Sequence, residues 1–434
     1  MSTAHALPQG WTTIPLRYVC GLNPSIAFDG FDQDDDLTFL PMDRVKSGYF
    51  IPNTDKFSKL ASSYTTFEDG DIVLAKVTPC FENGNIAIAE DLVGGKGFGS
   101  SELFVIRPTG AERKFLFYYF QSSSFKQDGE ASMTGAGGLK RVSPDVLRRH
   151  RLPFPSLDIQ RLIANYLDRE TARIDGLIAE KERMLELQEE KRAAFFSHVV
   201  TRSLDPNTPL KSSGNEWLGD IPVHWGLQRI KYVITSIDQG SSPIAANTPA
   251  GPDELGVLKL SAVSKGRFKR EENKALRGSD EEEQLLSLRK GDVLITRGNT
   301  PELVADVACV PYDEPNLLLP DLIYRLRVQE KKILPAYLTS FLTTAAARVQ
   351  IRRDARGSSG SMVKVSQGHV LDWLTPLPPY HEQVKIVECL ERAEERFQSI
   401  TREVYSSLSL LSERRAALIT AAVTGQIPLE DMAS

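Results

Sequence analysis

The chain has 434 residues, of which 41% are hydrophobic and 25% charged, the proportions of a globular protein long enough for two or three domains. Collagen-like, disordered and mainly fibrous architectures are excluded. The 52 Lys and Arg against 57 Asp and Glu give a formal charge of -5, which taken alone speaks against a nucleic-acid partner.

Cys20, Cys80, Cys309 and Cys389 are far apart with no Cys-x-x-Cys, and the six histidines do not cluster near them, so neither a zinc site nor a disulfide framework is readable. No metal site is expected. The N-terminus lacks a basic region followed by an apolar run, and no stretch approaches the roughly 18 to 20 apolar residues of a membrane span, so a cytoplasmic location is expected.

Taken in chain order, the predicted elements occur twice. Leu7-Pro8-x-x-Trp11, followed by Arg17-Tyr18-Val19, recurs as Ile221-Pro222-x-x-Trp225, followed by Lys231-Tyr232-Val233. Gly70-Asp71 and the β-like run to Lys76 recur as Gly291-Asp292 and the run to Arg297. Further β-like runs span Leu103 to Arg107 and Leu322 to Val328, and shorter helical patches span Lys114 to Gln121 and Pro335 to Arg353. A Gly-rich stretch from Gly135 to Val142-Ser143 matches Gly357 to Val365-Ser366, and Pro153-x-Pro155 with Gln160 and Ile163 matches Pro376-x-Pro378 with Gln383 and Ile386. After each Pro-x-Pro comes a long stretch without proline, Asp158 to about Val199 and Glu382 to about Ala422, with apolar residues at helical spacing. Leu167, Ile174, Leu177, Ile178 and Leu185 carry this stripe in the first copy, and Leu390, Phe397, Ile400 and Leu411 in the second. Each stretch predicts one helix of about 40 residues, roughly 60 Å long at 1.5 Å per residue.

Glu190-Lys191-Arg192-Ala193-Ala194 matches Glu413-Arg414-Arg415-Ala416-Ala417 as well, and five matches in the same order make the chain a tandem duplication. A lone helix of this length cannot hide its apolar stripe, so the two helices are expected to pair, antiparallel because of the chain order. The fold class expected is α/β (α+β): two mixed globular domains separated by two long antiparallel coiled-coil helices, in a pseudo-twofold internal repeat shaped as a dumbbell. The predicted segments are a first globular domain (1–155), a first long helix (156–203), a linker (204–220), a second globular domain (221–378), a second long helix (379–425) and a tail (426–434).

No catalytic centre is readable. Leu377-Pro378-Pro379-Tyr380 looks like the Asn-Pro-Pro-Tyr loop of amino-methyltransferases, but Leu377 cannot accept the hydrogen bond that chemistry needs. Gly135-Ala136-Gly137-Gly138 lacks the third glycine of a dinucleotide fingerprint, and Gly95-Lys96-Gly97 lacks the Ser or Thr of a P-loop. Pro252-Asp253 with Glu272-x-Lys274, and Pro320-Asp321 with Glu330-x-Lys332, fit a loose nuclease pattern at different places of the repeat, as chance matches do. His381-Glu382 begins no zinc-binding motif, because Lys385 stands where the second histidine belongs.

The duplicated block resembles a known family. Pro153-x-Pro155, Gln160-x-x-Ile163-Ala164-x-x-Leu167, Thr171-x-x-Ile174-Asp175-x-Leu177-Ile178 and Glu190-Lys191-Arg192 through Val200-Thr201 are similar to the helical region of type I restriction-modification specificity subunits. The second copy matches at its ends, Pro376-x-Pro378 to Leu390 and Glu413-Arg414-Arg415 to Ile427, but carries Arg396-Phe397-Gln398 where the first has Arg173-Ile174-Asp175. The resemblance implies a sequence-specific DNA-binding subunit without catalytic activity. In such a subunit each globular domain is a target-recognition domain reading one half of a bipartite site in double-stranded DNA. The helices would set the spacer and dock two methyltransferase (modification) subunits, joined by restriction/translocase subunits in the full complex. S-adenosylmethionine, ATP and Mg would sit on those partners, with no cofactor on this chain and no membrane association. The alternatives are a protein-interaction scaffold without DNA specificity, or a remnant of a fused methyltransferase/restriction enzyme.

Base readout needs Arg, Lys, Asn or Gln at groove edges, and phosphate contact needs cations and backbone amides. The DNA-binding candidates are therefore the strand ends Lys76 with Thr78 and Arg297 with Asn299, and the Gly-rich loops with Lys140 and Arg141, or with Arg352, Arg353, Arg356 and Lys364. Lys181, Lys191, Arg192, Arg414 and Arg415 are expected to face partners, the other helix or solvent. The acidic balance also resolves locally. Asp29, Asp32, Asp34, Asp35 and Asp36, with Asp280, Glu281, Glu282 and Glu283, contribute nine negative charges expected on exposed loops away from DNA, and without them the chain would stand at +4. The subunit alone is expected to hold DNA weakly, with much of the phosphate grip coming from the methyltransferases.

Overall fold

The structure is a computed structural model that describes residues 7–60, 63–136, 138–277, 287–359 and 362–433. It forms two compact units, Met1–Glu182 with Val404–Ser434, and Arg183–Glu403.

In the first unit a four-stranded sheet runs in the order Cys20–Leu22, Leu103–Pro108, Ile72–Ala75, Ile86–Ile88. A second runs Thr54–Lys56, Asp36–Leu40, Lys96–Gly99, Thr65–Glu68, with its middle pair parallel. The strand Ile72–Ala75 is apolar at every position because both its faces are covered. Side chains alternate across a strand, so Ile72 and Leu74 join the core made with the helix Arg113–Tyr119, while Val73 and Ala75 join the core made with the second sheet.

The second unit repeats this plan. Its first sheet runs Ile234–Gln239, Ile323–Val328, Val293–Thr296, Val307–Cys309, and its second Asn273–Ala275, Gly256–Leu258, Glu314–Leu318, Ser287–Leu288, again with a parallel middle pair. Val293 and Ile295 face the helix Pro335–Leu342, and Leu294 faces the other sheet. The predicted runs are found within a residue or two at each end. One expectation is corrected: Pro335 to Arg353 is two helices, Pro335–Leu342 and Ala345–Asp354, because the Thr344 hydroxyl accepts from the Ala347 amide and caps a new start.

Two buried polar devices recur. Asp71 and Asp292 have side chains 2% and 3% exposed. Asp71 accepts from Arg107 Nε and a terminal nitrogen at 2.7 Å each, and from the Glu68 amide at 2.9 Å. Asp292 accepts from Arg327 Nε at 3.0 Å and the Arg289 amide at 2.9 Å, so in each unit one carboxylate ties the turn before the central strand to the neighbouring strand. Gln160 and Gln383, both fully buried, lock the long helices to their domains. Gln160 accepts from the Glu112 amide and donates to Pro155 O, both at 2.8 Å; Gln383 accepts from the Leu334 amide at 2.8 Å and donates to Pro378 O at 2.9 Å.

The long helices are Leu157–Arg202 and Tyr380–Val423, 46 and 44 residues, or about 69 and 66 Å. No described helix is long and apolar enough to cross a membrane. Each unit holds one half of each helix, and within each unit the two halves run antiparallel. In the first unit Arg415 grips Asp175 at 2.8 Å while Ile163 and Leu167 share a core with Ile419 and Val423 further along. In the second, Arg192 meets Glu394 at 2.7 Å and Gln188 donates to Phe397 O at 2.8 Å, while Val199 and Val200 share a core with Ile386 and Leu390.

The apolar stripe is narrower than its spacing predicts. Leu167, Ile174 and Leu390 are buried and Ile178, Leu185, Phe397 and Leu411 half-buried, but Leu177 and Ile400 are 41% and 40% exposed. An antiparallel pair buries one face, and the adjacent Ile178 and Thr401 occupy it instead.

Candidate nucleic-acid interface

In the first unit the chain leaving the strand Ile72–Ala75 meets the returning Gly-rich loop. The Val142 amide donates to Lys76 O at 2.8 Å and the Thr78 amide to Lys140 O at 3.0 Å. Thr78 Oγ1 donates to Gly138 O at 2.8 Å and accepts from the Lys140 amide at 2.9 Å, so this one hydroxyl pins the returning limb of the loop. Gly135 has φ +146°, and a Cβ there would lie 2.3 Å from Leu139 O.

The second unit builds the same junction. The Val365 amide donates to Arg297 O at 2.9 Å, the counterpart of the Val142 to Lys76 bond. Here the pairing extends into a three-stranded sheet in the order Gly298–Asn299, Met362–Lys364, Arg356–Ser359. A Cβ on Gly357, the counterpart of Gly135, would lie 2.4 Å from Met362 O. Both loops fold back so tightly that only glycine fits at the bend. Strand end and loop, the two regions singled out in each copy, are thus brought together in both units.

The candidate side chains differ in what holds them. Lys140, Arg356 and Lys364 are exposed and Arg297 half-buried at these junctions. Lys76 is half-buried, donates from Nζ to Ser101 O at 2.6 Å and lies 5.3 Å from the Phe104 ring centre; burial lowers its pKa. Arg141 forms a bidentate pair with Glu102, which holds that carboxyl below its ordinary range. Neither constraint is readable locally, since Ser101 and Glu102 lie 25 and 39 residues away. Asn299 is half-buried and its Oδ1 accepts from the Thr300 amide at 2.9 Å. Arg353 pairs with Asp354 at 3.0 Å, and Arg352 lines a groove with Arg348, Arg192 and Phe196 rather than standing on the hairpin.

Asp29, Asp32, Asp34, Asp35 and Asp36 are exposed as expected, and Lys56 pairs with Asp36 at 2.8 Å. The second acidic cluster, Asp280 to Glu283, lies outside the described residues. Of the helix cations, Arg192 and Arg415 face the other helix, as their ion pairs show.

Residues 8–187 match the family model of the type I restriction modification DNA specificity domain. The chain is 26% identical over 463 aligned positions to the type I restriction enzyme EcoEI specificity subunit of Escherichia coli, covering 89% of this chain and 78% of that one. It is 23% identical to the EcoKI specificity subunit of Escherichia coli strain K12, covering 98% and 91%. Among solved structures, one from work on complex assembly and conformational transition of the type I R-M system superposes with a TM-score of 0.73 at 17% identity, over 98% of this chain and all of that one. The HsdS subunit of Thermoanaerobacter tengcongensis gives 0.50 at 18% identity, over 98% and 99%. Residues 8–187 thus carry the specificity-domain match, the same architecture is repeated in the second half, and over nearly its whole length the chain is similar to type I restriction-modification specificity subunits.

Proposed function

We propose that this chain is the DNA-recognition subunit of a type I restriction-modification complex, each globular domain reading one half of a bipartite duplex site. The observation that supports this best is the repeated junction of strand end and glycine-bent loop, which carries different polar side chains in the two copies: Thr78, Lys140 and Arg141 in one, Arg297, Asn299, Arg356 and Lys364 in the other. One frame with two sets of readers suits two different half-sites. The two long helices set the unread spacer and dock two methyltransferase subunits. The chain itself performs no chemistry and binds no cofactor; S-adenosylmethionine, ATP and Mg belong to the methyltransferase and translocating restriction subunits. It works in the cytoplasm.

A gel shift with the purified methyltransferase subunit over a salt series tests this. A preferred split sequence, retained at salt that strips arbitrary duplex, is the expected result. Equal binding to every duplex would favour a scaffold without specificity.

A further inference from the structure

The 3-10 turns Leu16–Tyr18 and Ile230–Tyr232 take no part in the loops or the helix pairing, yet they match in both copies. Each buries its first residue and the following valine, Leu16 with Val19 and Ile230 with Val233. The three-residue turn then places the two residues between on the solvent side. Each turn is tethered alike: the Leu16 amide donates to His150 O and the Ile230 amide to Trp373 O, both at 2.9 Å.

What these turns present is an aromatic ring with a cation against it. Tyr18 is 65% exposed with the Arg17 guanidinium 4.9 Å from its ring centre, and Tyr232 is 55% exposed with the Lys231 ammonium at 5.5 Å. An exposed ring adds little to its own unit's core. Yet this pair persists where nearby positions have changed, His150 to Trp373 and Arg149 to Asp372.

The surroundings are cationic in both units. Arg148 lines a shallow groove with Arg17 in the first. In the second, Asp372 gathers Arg229 at 3.0 Å and Lys231 at 2.9 Å, and Lys332 Nζ donates to Tyr232 O at 3.2 Å.

The turns also stand at the wrong end of the sheet for base reading. Cys20, just after the first turn, pairs with Pro108, whereas Ala75, just before the recognition junction, pairs with Leu103. The second unit pairs Ile234 with Val328 and Thr296 with Ile323. Five residues along the shared strand is roughly 17 Å. A feature common to both copies cannot tell two half-sites apart, but it can receive the same partner twice. Tyrosine and arginine are the side chains that anchor protein interfaces, and the cations around them favour an acidic surface.

We propose that Arg17-Tyr18 and Lys231-Tyr232 are two equivalent docking points for an acidic surface of a protein partner, one copy of the same protein at each. This rests on the reading of the chain as a subunit that assembles with two methyltransferases. The test is native mass spectrometry and titration of the full chain with the purified methyltransferase subunit, using Tyr18→Ala, Tyr232→Ala, the double variant and the reversals Arg17→Glu and Lys231→Glu. Wild type should take up two copies. Each single variant should keep one and bind the second at least tenfold more weakly, and the double variant should weaken both, all with unchanged melting because the rings are exposed. Variants that take up two copies at wild-type affinity would overturn the docking points alone. So would variants that assemble normally but lose affinity for DNA, which would make the turns a phosphate contact. A wild-type chain that takes up no methyltransferase would overturn the parent reading together with them.

Discussion

Gly135→Ala and Gly357→Ala separate the two recognition loops from the fold that carries them. A Cβ on Gly135 would approach Leu139 O to 2.3 Å and Lys140 Cα to 3.0 Å, and the backbone at φ +146° is itself strained for alanine. Bringing the oxygen contact back to 3.0 Å moves the loop by at least about 0.7 Å, more than the roughly 0.5 Å tolerance of a precise binding site. Losing one well-made base contact costs about 1–3 kcal/mol, a ~5- to 150-fold loss of affinity. The Gly357 variant meets Met362 O at 2.4 Å and should behave alike in the other unit. The assay is binding of the chain with its methyltransferase to duplexes carrying both half-sites or one scrambled. Gly135→Ala should erase discrimination at one half-site and keep it at the other, Gly357→Ala should do the converse, and neither should lower the melting of the cores. Wild-type discrimination at both half-sites in both variants would refute the placement of these loops on DNA.

Three further outcomes follow from named contacts. Lys140→Ala and Lys364→Ala should each flatten the log-affinity against log-salt slope by about 0.9 if each lysine holds one phosphate, whereas Lys76→Ala, whose ammonium is bound to Ser101 O, should not; the salt series reads this directly. Asp71→Ala removes the bidentate partner of Arg107, leaving it Glu68 alone at 3.0 Å, and strands the Glu68 amide; Asp292→Ala removes the carboxylate that accepts from Arg327 and from the Arg289 amide. Each should cost about 3 kcal/mol and lower the melting of its unit by roughly 6–12 °C in calorimetry, and a change below 1 °C would show these pairs to be dispensable. Burial opposes the charge on Glu394, but hydrogen bonds from Gln398, Arg192 and Arg267 outweigh it and hold its carboxyl below its ordinary value of 4.5. A depressed carboxylate stabilises the fold above its unfolded pKa, and that contribution is lost as pH falls through the folded one. Glu394→Gln should therefore be less stable than wild type at pH 7, and the difference should shrink as pH falls below 4.5 and through the lowered pKa; parallel acid-melting curves would contradict this.

The repeat was legible because both copies keep the residues that folding demands. The Gly-Asp turn carries a buried ion pair, the glutamine after Pro-x-Pro locks a helix to its domain, and the loop glycine meets a carbonyl at the bend. What stayed hidden was set by contacts distant in sequence. Lys76 and Arg141 read as free cations until Ser101 and Glu102 are placed beside them. The helical stripe overcounted at Leu177 and Ile400, since spacing marks a face but not its width. At the position where Gln398 replaces the aspartate of the first copy, Arg192 finds Glu394 one turn earlier, and Gln398 donates to that same carboxylate at 2.8 Å. The departure in sequence is a relocation of the same ion pair by one helical turn.

The central claim is that two domains of one chain read two halves of one DNA site for a methyltransferase. It is tested most directly by mapping methylated adenines in DNA from cells with the chain, without it, and with Gly135→Ala in its place. One bipartite methylated motif should vanish without the chain and lose specificity in only one half in the variant. An unchanged map in cells lacking the chain, or a motif that is continuous rather than split, would contradict it.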